Sequence, residues 1–233
     1  MISCRIFIVF IWICFTYSSF AHGDSIPKLG IVFRHYLPTV DTQDRIILRN
    51  AHASFGRKFL RGSGLVFAAE ASSFALLFVL PENISHWDKS HLQPGENYKR
   101  AFTRPPVVDR DAWYINYLGH PYQGAYTYNA IRSQGANVWQ SSLFCVGHSF
   151  MWEYVLEAGF EQPSIQDLVV TPCAGILLGE LFHFATTTMA KNGFKWYEAT
   201  FVCLFNPMYA INNGFKFAAN KRGYSAKPLA AVF

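Results

Sequence analysis

The stretch Pro163–Glu180, PSIQDLVVTPCAGILLGE, is almost wholly apolar, yet Asp167, Thr171 and Glu180 stand inside it. Just upstream, Glu153, Glu157 and Glu161 recur every four residues. A carboxylate in apolar surroundings is costly unless it is paired, protonated or bound to something. These residues therefore belong to a site or to a buried polar lock. Ser149, Glu153 and Glu157 lie at i, i+4 and i+8, on one helix face, and like charges at that spacing repel. Either a carboxyl there holds a proton, or a cation from another helix sits between them. The alternative is the ordinary solvated face of an amphipathic helix.

A second set, His120, Gly124, Tyr128 and Arg132, also recurs at intervals of four and shares one side of a helix. His120 and Arg132 stand about 18 Å apart along the axis and cannot meet. Arg132 is the only Lys or Arg between Tyr114 and Ala190, where five Asp or Glu residues lie. It is expected to pair with Glu153, Glu157, Asp167 or Glu180, since Arg–carboxylate pairing is well tolerated at low dielectric. Compensation of its own helix end is the plainer reading. A histidine titrates near neutrality, so His120 is the expected proton-transfer group. Glu153 is its acid–base partner and Ser149 a third catalytic candidate. Asn116, Tyr128, Arg132, Glu157, Asp167, Thr171 and Glu180 form the expected polar or binding network.

Other chemistry finds little support. Glu180-Leu181-Phe182-His183 is half of a two-metal Glu-x-x-His pattern, and no second copy exists. A site completed by Glu153 and Glu157 is conceivable, but no metal and no cofactor is expected. Gly147-His148-Ser149 places His and Ser side by side, where helix neighbours do not face each other, and Gly-x-Ser-x-Gly is absent. No glycine-rich phosphate loop, His-Glu-x-x-His or dinucleotide fingerprint appears.

The elements that must position these residues read as helices. Ser63–Leu80 is eighteen residues long with one charge, Glu70, and is closed by Pro81. Its length suits a membrane span or a fully buried helix. A helix is expected around Thr42–Leu60, and Pro81–Asp111 reads as a polar loop. Pro121 suits the first turn of a helix that Gly135 ends. Further helices are expected over Ser142–Phe160 and from Ser164, an N-cap, to about Lys191. Pro172 should kink or break the latter. Trp196–Phe205 is broken by Asn206-Pro207, and a short helix follows to Asn212. Period-2 alternation is nearly absent, against a barrel or sandwich. The fold class is all-α, one bundle of about five or six helices, kinked at Pro172.

Composition narrows the setting. The chain has 233 residues, 51% hydrophobic and only 15% charged, against about 25% charged in average soluble domains. The formal charge is +5, but Lys and Arg are scattered, so no nucleic-acid partner is expected. Arg5 followed by the apolar Ile6–Phe15 and by Ser19-Phe20-Ala21 reads as an export signal cleaved after Ala21; an uncleaved anchor is the alternative. The expected organisation is a signal over 1–21, a polar, basic lead-in over 22–62, a helical domain over 63–213 and a basic tail over 214–233. Cys145, Cys173 and Cys203 remain after cleavage, an odd number in apolar segments, and read as buried free thiols.

Several runs together carry a resemblance. They are Trp113-x-x-Asn116-x-x-x-His120-Pro121-Tyr122-x-Gly124, Tyr128-x-x-x-Arg132-x-x-Gly135, Ser149-x-x-Trp152-Glu153-x-x-x-Glu157, Pro163-Ser164-x-x-Asp167-Leu168-x-x-Thr171-Pro172, Gly179-Glu180 and Asn206-Pro207-Met208. Over roughly Pro81–Asn212 the chain resembles the uncharacterised bacterial family called domain of unknown function 3943. It departs from that pattern at Cys173-Ala174-Gly175, where a small residue and paired glycines are expected. The resemblance implies a Gram-negative envelope protein with an export signal, and brings no activity with it. The order Glu, Pro-Ser-x-x-Asp, Gly-x-x-x-Gly-Glu is more loosely similar to the pattern of VanZ-like small membrane proteins.

Of two functions from different classes, the first is the expected one, because no activated nucleophile is visible in the sequence, and the second is the alternative. The first is a non-enzymatic envelope protein, associated with a membrane, whose buried network specifies packing or binds a lipid or an envelope protein. The second is a membrane-embedded hydrolase or transferase acting on lipid or cell-wall intermediates, with His120 and Glu153 as acid and base. They differ in geometry: an enzyme needs these side chains to converge on an open pocket, whereas a lock would satisfy them internally. The export reading predicts that the protein expressed from Met1 loses about 2 kDa on maturation. An intact N-terminus on envelope-fractionated protein would contradict it.

Overall fold

The computed structural model describes residues 48–85, 87, 89, 93–108, 111–191 and 193–217. The expected signal, most of the lead-in and most of the basic tail lie outside them. The described residues form eight α-helices and one isolated backbone bridge, Val107 to Ser164. The helices are α1 (Phe55–Val79), α2 (Glu82–Ser85), α3 (Pro94–Thr103), α4 (His120–Arg132), α5 (Val138–Met151), α6 (Ile165–Lys191), α7 (Trp196–Phe205) and α8 (Pro207–Asn212). The all-α class holds.

Sequence signals set most helix ends. Ser54 caps α1 by accepting from Arg57 N–H, and the helix stops at Leu80, before Pro81. Asn137 and Gln140 close a reciprocal capping box on α5. Ser164 Oγ accepts from Asp167 N–H at 3.2 Å at the head of α6. Gly135 and Gly193, past the ends of α4 and α6, have φ of +83° and +77°, a region glycine enters without a Cβ clash. Asn206 caps α8 through Tyr209 N–H at 3.2 Å.

Four expectations need correction. The polar segment before Ser63 and the apolar segment after it are one helix, α1, which runs through Gly62 and Gly64. Gly62 is tolerated because α4 fills its place: a Cβ there would lie 2.3 Å from Ile131 Cγ2. The supposed loop Pro81–Asp111 contains α3, with Pro94 in its first turn, and a buried Trp87 stacked on Phe160 at 4.3 Å between ring centroids. Pro172 does not break α6, which is continuous from Ile165 to Lys191. Of the thiols, Cys145 is buried but Cys173 and Cys203 are exposed.

The central packing is α4 against α6. The pairs His120–Thr171, Tyr128–Glu180 and Arg132–Glu180 advance together along both chains, so the helices are parallel. Their closest approach is glycine on glycine. A Cβ on Gly124 would lie 2.1 Å from the Thr171 carbonyl oxygen, and one on Gly175 2.4 Å from Gly124 Cα. Small residues permit this approach, which buries backbone against backbone. α5 runs antiparallel to both, with Cys145 Sγ 3.4 Å from the Gly124 carbonyl. α1 covers α4 around Val66, Ala130, Ile131 and Phe144.

The polarity of the bundle is inverted. The inward stripe of α6 is Asp167, Thr171, Gly175, Gly179 and His183, while Val169, Leu177, Leu181 and Phe184 face outward. On α1 the buried residues are Lys58, Gly62, Val66 and Glu70, and Leu60, Phe67, Leu76, Phe78 and Val79 are exposed. Both helices are long and apolar enough to cross a membrane, and only 17% and 28% of their most apolar windows is buried.

The seam makes a quantitative prediction. Gly175→Ala should cost at least about 1–3 kcal/mol through overpacking, measured as a lower unfolding temperature in detergent. Gly147→Ala, with open space around it, should be neutral or stabilising by about 0.5–1 kcal/mol. Equal effects would mean that α4 and α6 do not touch at Gly124 and Gly175.

Candidate functional site

The polar residues divide between the two ends of the α4–α6 seam. At one end Arg132 makes a bidentate pair with Glu180, Nε to Oε2 at 2.8 Å and Nη2 to Oε1 at 2.9 Å. Tyr128 donates to the same Oε2 at 2.6 Å, and Arg132 Nη1 donates to the Ala136 carbonyl at 3.1 Å. Asn129 Nδ2 donates to the Gly179 carbonyl at 2.9 Å. Arg132 is buried and Glu180 only partly exposed. The Arg132–Glu180–Tyr128 cluster is held by its own hydrogen bonds.

The other end is open. A pocket is lined by Asp111, His120, Glu153, Glu157, Glu161, Gln162, Ser164 and Asp167. Its free space is on the scale of about one water molecule or ion. Three buried side chains from three elements converge there: His120 from α4, Asp167 from α6, and Glu153 from beyond α5. One ligand-type atom from each lies within 4.8 Å of the others. His120 Nε2 stands 3.6 Å from Asp167 Oδ1, and its Nδ1 stands 3.2 Å from Thr171 Oγ1. Two faces of one ring are thereby tied to α6.

Local backbone chemistry explains the convergence. A π-helical turn, Ile115–Gly119, feeds directly into His120. A second, Trp152–Leu156, carries Glu153, and a short 3₁₀ turn, Glu157–Gly159, follows. Such turns shift the phase of a helix and re-aim its side chains. Irregular helix leaves carbonyls to be satisfied, and α3 does so: Asn97 Nδ2 donates to the Gly159 carbonyl at 2.8 Å and Tyr98 OH to the Val155 carbonyl at 2.5 Å. Glu153 Oε2 accepts from Ser164 N–H at 2.8 Å, which binds the broken end of α5 to the start of α6. The Val107–Ser164 bridge brings the segment ahead of Asp111 to the same place.

The three glutamates at four-residue spacing resolve their repulsion separately. Glu157 accepts from both Trp87 Nε1 (3.1 Å) and Trp152 Nε1 (2.6 Å). Glu161 shares a hydrogen bond with Glu157. Burial, then the charge of Glu157, pushes the Glu161 carboxyl well above the usual carboxylate range. Burial raises Glu157 as well, opposed by His120 and by the bonds from Glu161 and the two indoles.

Several sequence expectations are redrawn. Arg132 pairs with Glu180 but not with Glu153, Glu157 or Asp167, which gather with His120. Ser149 is buried with its hydroxyl unbonded and is not among the residues lining the pocket; the π turn after Met151 takes it out of phase with Glu153 and Glu157. Glu180 and His183 lie at the Arg132 end, so Glu153 and Glu157 do not complete a metal site with them. Asn116 is buried in the first π turn. Asp111, Gln162 and Ser164 enter the pocket without having been singled out as site residues, since a loop position carries no periodic signal. Glu70 and His148 form a further buried pair at 3.3 Å between α1 and α5.

Residues 105–208 match the model of a family described as a domain of unknown function (DUF3943). The resemblance read from the motifs thus holds, over a shorter span than the motifs suggested. The match takes in the pocket and the Arg132–Glu180 cluster and leaves out α1. No curated protein and no solved structure matches the chain.

Breaking the buried pair has a calculable cost. Arg132→Ala leaves Glu180 without its cation and should destabilise the protein by about 3–5 kcal/mol. Arg110, the natural polar-loop comparison, lies outside the described residues. Lys99, exposed beside Glu96, serves instead, and Lys99→Ala should cost less than about 1 kcal/mol. Denaturation in detergent distinguishes them, and similar small losses for both would contradict a buried pair.

Proposed function

We propose that the protein is membrane-associated, with α1 and α6 facing lipid, and that the pocket at His120 is a hydrolytic or group-transfer site for a lipid or cell-wall intermediate held at the membrane. The observation that carries this reading is the convergence of His120, Glu153 and Asp167 on free space large enough for a water molecule. Acid–base catalysis needs groups within reach of one reacting atom, directly or through one water. The attacking group is that water, because the one hydroxyl lining the pocket, Ser164, already caps α6. The water adds to the substrate, its proton passes to a carboxylate of the cluster, and the leaving group takes a proton from an acid of the same pocket. The membrane part rests on the inverted polarity: charges inside, Leu and Phe outside.

The non-enzymatic reading keeps a part of the molecule. Arg132, Glu180 and Tyr128 satisfy one another through direct hydrogen bonds, which suits a packing lock rather than chemistry. The export route and the envelope location implied by the family resemblance belong to this proposal too.

The test is direct. The protein reconstituted in vesicles of bacterial phospholipid, with and without lipid-linked cell-wall precursor, is followed by mass spectrometry for released product. It should float with the vesicles. Turnover should fall by about 10²–10⁴-fold in His120→Ala and Glu153→Gln and be unchanged in Lys99→Ala. Floating protein with no turnover, or turnover indifferent to both pocket variants, would contradict the catalytic reading.

A further inference from the structure

We propose that His120 Nε2 and carboxylate oxygens of Glu153 and Asp167 bind one divalent transition-metal ion, Zn2+ or Mn2+. This deepens the reading above, because it names what activates the water in that pocket. Ligand atoms about 2.1 Å from a common ion stand about 3–4 Å apart. His120 Nε2 and Asp167 Oδ1 are 3.6 Å apart, and all three donors lie within 4.8 Å of one another.

The surrounding groups suit this use. A metal-bound imidazole donates its other N–H to a fixed acceptor, which sets tautomer and orientation. His120 Nδ1 faces Thr171 Oγ1 at 3.2 Å, and Nε2 is the ring nitrogen on the Asp167 side. The Ser164 N–H at 2.8 Å holds one oxygen of Glu153 in the same manner. Asp167 is anchored through its own N–H to Ser164 Oγ at 3.2 Å. One imidazole with two carboxylates favours Zn2+, Mn2+ or Fe2+ over Mg2+ and Ca2+, which take oxygen alone, and over thiophilic ions. Three protein ligands leave a coordination position for water, the pattern of a catalytic rather than a structural site. Glu157 and Glu161 line the same pocket. With the ion bound, His120, Glu153 and Asp167 would be its ligands, and Glu157 and Glu161, outside the ligand set, would be left for proton transfer. The Glu70–His148 pair offers only two donor residues.

The experiment uses untagged full-length protein in detergent micelles, stripped with chelator and titrated calorimetrically with Zn2+, Mn2+ and Mg2+. We expect about one Zn2+ or Mn2+ per chain and at least tenfold weaker Mg2+ binding. His120→Ala and Asp167→Asn should abolish the site. Thr171→Val, close to isosteric and outside the ligand set, should weaken it by about 10–100-fold and keeps the test valid if the other variants misfold. His52→Gln, at an exposed position, should change nothing. No saturable binding, or binding equal in wild type, His120→Ala and Thr171→Val, would overturn the proposal. Turnover that survives chelation would reject the metal and keep the hydrolytic reading. Stoichiometric binding without turnover would reject the hydrolytic reading and keep the metal.

Discussion

The contact on which the rest depends is backbone against backbone, Gly124 on Gly175. It sets the register of two parallel helices. With that register, His120 falls opposite Asp167 and Thr171, and Arg132, three turns on, falls opposite Glu180. A side chain at either glycine would push the helices apart and separate every polar pair along the seam. The spacing of four residues is shared by both stripes, so one contact aligns the open pocket and the closed lock together.

Burying charge is costly, and the molecule meets that cost in two ways. At the closed end it uses a bidentate Arg–carboxylate pair with a tyrosine hydroxyl, in which both Glu180 oxygens and the guanidinium are satisfied. At the open end it gathers carboxylates around an imidazole and clamps Glu157 with two indole N–H groups and Glu153 with the Ser164 backbone N–H. The first arrangement is complete without any ligand. The second is organised around a space, and that difference separates packing from chemistry in a chain whose polar residues look alike in sequence. The two π-helical turns belong to the second arrangement, since they re-aim His120 and Glu153 inward.

Much of this was legible in the residues. The Ser164 cap, the Gly135 and Gly193 stops, the Asn206-Pro207 break and the i, i+4 stripe on α4 follow from local steric and hydrogen-bonding rules, and the structure has them. The pairing of Arg132 with a carboxylate followed from its being the sole cation in a long apolar stretch. Which carboxylate it meets did not follow, because helix register is set by a tertiary contact. Ser149 was misplaced for a local reason: a regular helix puts it in line with Glu153 and Glu157, and the π turn removes it. α3 and Trp87 were hidden in polar composition because their role is to satisfy carbonyls and pack one aromatic cluster, not to build a long apolar face. Asp111, Gln162 and Ser164 reach the pocket through loop geometry and one backbone bridge, for which sequence spacing has no signature.

The central claim is that the α4–α6 seam holds the His120 ring between Thr171 and the acidic pocket. The most direct measurement is ¹⁵N NMR of the imidazole nitrogens in reconstituted protein, with His120 assigned by difference against His120→Gln. The account predicts a single fixed tautomer for His120 in the wild-type protein, converting to the averaged signal of a free imidazole in Gly175→Ala. An averaged, free-imidazole signal already present in the wild type would contradict it.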